Sequence, residues 1–177
     1  YLALVLHAHL PFVRHPESDY VLEEEWLFEA ITETYIPLIQ SFEGLRQDGV
    51  NFKLTMSLTP PLISMLTDPL LQERYDEHLA KLEELAEMEI DRNIHNGHLK
   101  YLAEHHAKEF NDVRHTWEKY NGNLVKAFKQ FFDSNNLEII TCGATHGYLP
   151  LMKMYPQAVW AEIKVACDHY TETFGRA

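Results

Sequence analysis

The chain reads as an α/β fold of parallel strands and long helices, the front part of an α/β barrel. Three observations predict this. Short apolar runs end abruptly in polar residues, long amphipathic stretches separate them, and the order is strand, helix, strand, long helical insertion, strand, helix. Strands alternating with helices imply parallel pairing through right-handed crossovers. Three strands cannot close a barrel, and a full barrel takes roughly 250 residues. The chain has 177 residues, starts at Tyr1 already inside a strand, lacks an initiator Met and stops just after a helix. We therefore expect a fragment of a longer protein.

The first strand is the apolar run Leu2 to Leu6, continuous as in a strand buried on both faces. It ends in His7, His9 and Pro11, and proline cannot continue a central strand. A helix is predicted from about Glu23. Glu23, Glu24 and Glu25 fall in its first turn, where the helix dipole favours carboxylates. Leu27, Ile31, Tyr35, Leu38, Phe42 and Leu45 form its apolar stripe, and Gly49 stops it. Pro37 lies inside this pattern and should kink or break the helix, at about 3 kcal/mol if it ran straight through.

Phe52 to Leu58 is the second strand, ended by Thr59-Pro60-Pro61. Asp68-Pro69 starts the insertion, a cap residue followed by proline at the first helical position. Its stripe is Leu71, Tyr75, Leu79, Leu82, Leu85 and Met88. A turn at Asn93 to Lys100 leads to a further helical region, with Asn121-Gly122-Asn123 as a bend or break. Leu137 to Cys142 is the third strand, and Gly143 to Pro150 turns at its end. A last helix over about Pro156 to Phe174 carries Val159, Ile163, Ala166 and Tyr170 on one face.

Composition narrows the function. Hydrophobic residues make up 46% of the chain, so it can bury a core. Its net charge of −12 disfavours nucleic acid and anionic membranes, which need a basic footprint. No apolar run approaches the roughly 20 residues of a membrane span. Cys142 and Cys167 form no disulfide framework, which suits a cytoplasmic location.

Each strand end presents polar groups to the same edge of the sheet: His7 and His9, then Ser57 and Thr59, then Thr145 and His146. Side chains alternate along a strand, so His7 and His9 share a face. Three histidines converging on the rim where parallel α/β folds bind ligands point to a site. His95, His98, His105, His106 and His115 are expected on the surface. Trp26 suits core packing by periodicity, or a stacking face for a sugar ring; Tyr148 and Tyr155 are weaker candidates for such a face. Two chemistries compete. His-x-His with His146 could hold zinc in a deacetylase, although no Asp or Glu stands in either segment to serve as further ligand or base. Alternatively, the imidazoles hydrogen-bond sugar hydroxyls in a glycosidase cleft.

The segments His7-Ala-His-Leu-Pro-Phe-Val-Arg14, Glu24 to Pro37 and Ile140-Thr-Cys-Gly-Ala-Thr-His-Gly-Tyr-Leu-Pro150 together resemble glycoside hydrolase family 57. More narrowly, they are similar to its 1,4-α-glucan branching enzymes. The resemblance implies the N-terminal portion, residues 1–177, of an incomplete (β/α)7 barrel. It implies a retaining mechanism that cleaves an α-1,4-glucan and transfers the chain to a 6-hydroxyl, without metal or cofactor. By the same resemblance, His7, His9 and His146 hold the sugar and Trp26 belongs to the cleft wall. The nucleophilic Glu and the acid/base Asp are expected beyond Ala177, so no catalytic residue is assigned and the chain alone should be inactive. α-Amylase or 4-α-glucanotransferase activity is the alternative within the family; a zinc-dependent deacetylase is the alternative outside it.

Overall fold

A computed structural model describes residues 2–175. Tyr1, expected inside the first strand, lies outside the described residues. Three strands form one open sheet in the order β1 (Val5–Ala8), β2 (Leu54–Leu58), β3 (Leu137–Ile140), and both pairings are parallel. The α/β class, the parallel pairing and the element order are as the sequence predicts. β2 and β3 are shorter than predicted, while β1 is displaced from the predicted Leu2 to Leu6 toward the carboxyl end and takes in His7 and Ala8; β1 is also not buried on both faces. Leu4 and Val5 are largely exposed, and among the described residues β1 pairs only with β2.

The first helical region has three parts: α1 (Leu22–Ala30), a π-helical turn at Ile31–Tyr35, and α2 (Ile36–Gln47). The π turn resolves the misplaced proline. The Ile36 N–H bonds to the Ile31 carbonyl, five residues back, so the regular ladder is already interrupted where Pro37 enters. At the other end, Gly49 has φ +69, and Val50 N–H reaches the Leu45 carbonyl at 2.9 Å. That is a left-handed glycine stop.

A short helix that the sequence reading lacks, α3 (Pro60–Leu66), follows β2 directly. Its two prolines occupy the first turn, where missing N–H groups cost nothing. The long insertion comprises α4 (Pro69–Arg92), α5 (Gly97–Lys119) and α6 (Leu124–Asp133). Asp68 Oδ1 caps α4 by accepting from Leu70 and Leu71 N–H at 3.0 and 3.2 Å. Gly122 separates α5 from α6 at φ +71, and a Cβ there would come within 3.0 Å of the Trp117 ring.

The core runs from β1 and β2 through α2 and α6 to the base of the α4–α5 hairpin. Phe42 packs between Phe52 and Phe131, and Tyr75 meets the edge of Trp117 at 4.5 Å between centroids. The α4 stripe is only half right: Leu71, Tyr75 and Leu79 are buried, whereas Leu85 and Met88 are exposed. Nearer the tip of the hairpin the buried residues are the small Ala86 and Ala103. The final helix, α7 (Pro156–Phe174), has the predicted span, and of the predicted inner face Ala166 is buried and Val159 and Tyr170 are half-buried. Glu162, Ala166 and Phe174 are buried, while Ile163 is exposed. Among the described residues no helix is long and apolar enough to cross a membrane.

Candidate sugar-binding site

One strand register builds half of the site. His7 pairs with Ser57 across β1 and β2, so His9 stands opposite Thr59 two residues on. Thr59 N–H to the Ala8 carbonyl at 3.3 Å prolongs the ladder past the formal strand end. The imidazole–hydroxyl pairs follow: His7 Nδ1 with Ser57 Oγ, and His9 Nδ1 with Thr59 Oγ1 at 3.0 Å. Both hydroxyl residues are buried. With Nδ1 engaged, Nε2 is the nitrogen left to each ring for a ligand. A one-residue slip of β1 would turn His7 and His9 away from Ser57 and Thr59.

His146 arrives from the loop after β3. Its ring stacks on His9 at 3.8 Å between centroids and lies 5.4 Å from His7; the His7–His9 separation is 6.0 Å. Three imidazoles distant in sequence thus meet at the carboxyl rim of the sheet, as predicted. Burial and then the nearness of His146 and His7 disfavour the imidazolium and hold the His9 pKa below its ordinary value. Beside this cluster is a cavity of about 500 Å³ lined by His9, Pro11, Phe12, Pro60, Thr145, His146 and His169, among others. No Asp or Glu lines it. No residue of the insertion lines it either, so the insertion packs beside the site. His7 faces a separate cavity, of about 390 Å³, beside the π turn.

The loop that follows His9 is gripped at several points. Arg74 Nη1 donates to both carboxylate oxygens of the buried Glu24, at 2.7 and 2.8 Å, and to the His15 carbonyl, while Nη2 donates to the Ser18 carbonyl. Glu24 additionally accepts from His15 N–H at 3.0 Å. Arg14 Nε donates to Asp68 Oδ2 at 2.6 Å, so the α4 cap also anchors this loop. Sequence reading placed Glu24 in a first turn on dipole grounds. It missed the arginine 50 residues away that allows its burial.

Trp26 is not among the cavity residues and is 48% exposed, so it is neither core nor wall of this cavity. Tyr148 and Tyr155 are exposed, as are His95, His98, His105, His106 and His115. Cys142 stands just past β3 with burial raising its thiol pKa, which leaves it a poor nucleophile. Among the described residues no three His, Cys, Asp or Glu side chains are arranged to hold a metal ion. The His9 and His146 rings stack, whereas shared zinc ligands would aim their nitrogens at a common point.

Glu162 is the further site residue that sequence reading left without a role. Burial pushes its carboxyl pKa up, but hydrogen bonds from the Thr145 hydroxyl, Thr145 N–H and Gly147 N–H outweigh this and hold it below the ordinary value. The available signal was a carboxylate at four-residue spacing with Ala166 and Tyr170 on the inner face of α7.

A parallel sheet with a polar cluster at its carboxyl rim defines an α/β protein of the class whose ligand sites are built at that rim. The profile of Glycosyl hydrolase family 57 matches residues 3–177, and the chain belongs to that family. The 1,4-alpha-glucan branching enzyme TK1436 of Thermococcus kodakarensis is 37% identical over 175 residues, which is 99% of this chain and 25% of that protein. Among solved structures, the α-amylase AmyC of Thermotoga maritima superposes with a TM-score of 0.94 at 44% identity, over 98% of this chain and 33% of its own. The GH57-type branching enzyme of Pyrococcus horikoshii gives 0.93 at 35% identity, over 99% and 33%. The chain therefore spans a quarter to a third of the length of these relatives.

Proposed function

We propose that this chain is the sugar-binding N-terminal portion of the catalytic domain of an enzyme acting on α-1,4-glucans, and that the enzyme is a 1,4-α-glucan branching enzyme. His7, His9 and His146 hydrogen-bond hydroxyls of the glucose unit at the cleavage point, and Trp26 contributes to a more distant stretch of cleft wall. The carrying observation is the meeting of the three imidazoles, two of them tied through Nδ1 to hydroxyls of β2. An imidazole so fixed presents either an N–H or a lone pair at Nε2, and a sugar hydroxyl accepts from the first or donates to the second. The nucleophile and the acid/base lie, on this reading, in a segment beyond Ala177. A retaining mechanism needs two carboxyl groups about 5 Å apart. Cys142 and Cys167 are unpaired thiols, which supports a cytoplasmic location.

Branching is favoured by the two branching-enzyme relatives, and hydrolysis by the α-amylase relative of higher identity. Incubating the complete protein with amylose separates them. New α-1,6 anomeric signals by proton NMR, without a matching rise in reducing ends, are expected. Reducing ends without branch points would make it an amylase, and linear chains of redistributed length a 4-α-glucanotransferase. An amylose pool left unchanged would refute the α-glucan assignment.

A further inference from the structure

The turn that carries His146 is held from behind by one buried residue. Glu162, in the second turn of α7, is 7% exposed. One carboxylate oxygen accepts from Thr145 N–H at 2.9 Å and the other from the Thr145 hydroxyl. The Glu162 main-chain carbonyl accepts from Ala144 N–H at 3.0 Å. A Cβ at Gly143 would stand 2.7 Å from Glu162 Oε2, so glycine at that position is what admits the carboxylate. The turn requires such a grip. His146 sits at φ +58, a left-handed conformation that a residue with a Cβ adopts at a cost and keeps only where its surroundings over-determine it. An apolar residue would serve the packing of α7 more cheaply than a buried carboxylate does.

We propose that Glu162 is the positioning residue of the sugar site: it holds residues 144–147 in the conformation that stacks the His146 ring on His9, and it does not itself touch substrate. This inference rests on His146 being a sugar contact. Glu162→Leu keeps the bulk that packs α7 but removes both acceptor oxygens, so Thr145 N–H and the Thr145 hydroxyl lose their partner, the turn relaxes and the ring leaves its place.

The test is a double-mutant cycle in the complete protein, with kcat/KM for glucan transfer and thermal stability read for Glu162→Leu, His146→Ala and the pair. Glu162→Leu alone is expected to lower kcat/KM roughly tenfold to a hundredfold, the scale of a misplaced contact group. In the His146→Ala background it is expected to lower it by less than about twofold, because its route of action is already gone. Equal losses in both backgrounds, or no loss from Glu162→Leu while His146→Ala is impaired, would overturn the proposal. An unimpaired His146→Ala protein would instead refute the sugar contact, and the proposal with it. If Glu162→Leu does not fold, Thr145→Val removes one bond of the grip and enters the same cycle with the same expected non-additivity.

Discussion

At the scale of single residues, the site combines a titration with a strained backbone. His9 binds a proton less readily in the native protein than in the unfolded chain, so its contribution to stability is complete above the ordinary histidine value. That contribution is lost as pH falls from there through the lowered native value. Proton NMR of the imidazoles should place the His9 midpoint below 6.5 and show it rising in His146→Ala, which removes one of the like charges. A midpoint at or above 6.5 would contradict the packing of the three rings. The left-handed His146 makes a separate prediction. His146→Gly should be more stable than His146→Ala by about 1 kcal/mol in chemical denaturation, because glycine adopts positive φ without steric cost.

At the scale of elements, two joints can be tested. Arg74→Ala leaves Glu24 buried and unpaired and releases two carbonyls of the loop after His9. Unfolding by urea should show a loss of about 3–5 kcal/mol. Arg74→Lys should recover little of it, since an ammonium lacks the planar fork. The π turn at Ile31–Tyr35 makes the opposite case. Pro37→Ala should change stability by less than about 1 kcal/mol instead of restoring the roughly 3 kcal/mol that a proline costs inside a regular helix. A large gain would mean that the π turn is strained by the proline and not accommodating it.

For the whole molecule, the sheet brings a binding site together without the groups that would cut a glycosidic bond. No carboxylate lines the cavity beside His9 and His146, and Glu33 is the one acidic residue lining the cavity that His7 faces. Glu162 is engaged by Thr145 behind the turn, so the described residues place no pair of carboxyl groups about the histidines. The 177-residue chain incubated alone with amylose should therefore give no turnover, and measured branching or hydrolysis would defeat this account. The α4–α5 hairpin divides similarly: its base belongs to the core and its tip does not. Trp117→Ala at the base should cost about 3–5 kcal/mol, whereas Met88→Ser at the tip should be close to neutral in the same unfolding measurement.

Local chemistry was enough for much of this. Apolar runs, the Asp68-Pro69 start, the Gly49 and Asn121-Gly122 stops and the period-two placement of His7 and His9 all depend on residues within a few positions of one another, and they can be read in order along the chain. What tertiary structure alone decided were the pairings between distant residues. The Leu4 and Val5 run is exposed where, among the described residues, β1 pairs only with β2, and no local pattern states strand order. Glu24 and Glu162 are buried because Arg74 and the Thr145 turn meet them, and a carboxylate carries no mark of its partner in its own neighbourhood. Burial of charge is set by what arrives from elsewhere in the fold, so the sequence determined which groups could form the site and the packing determined how they are held.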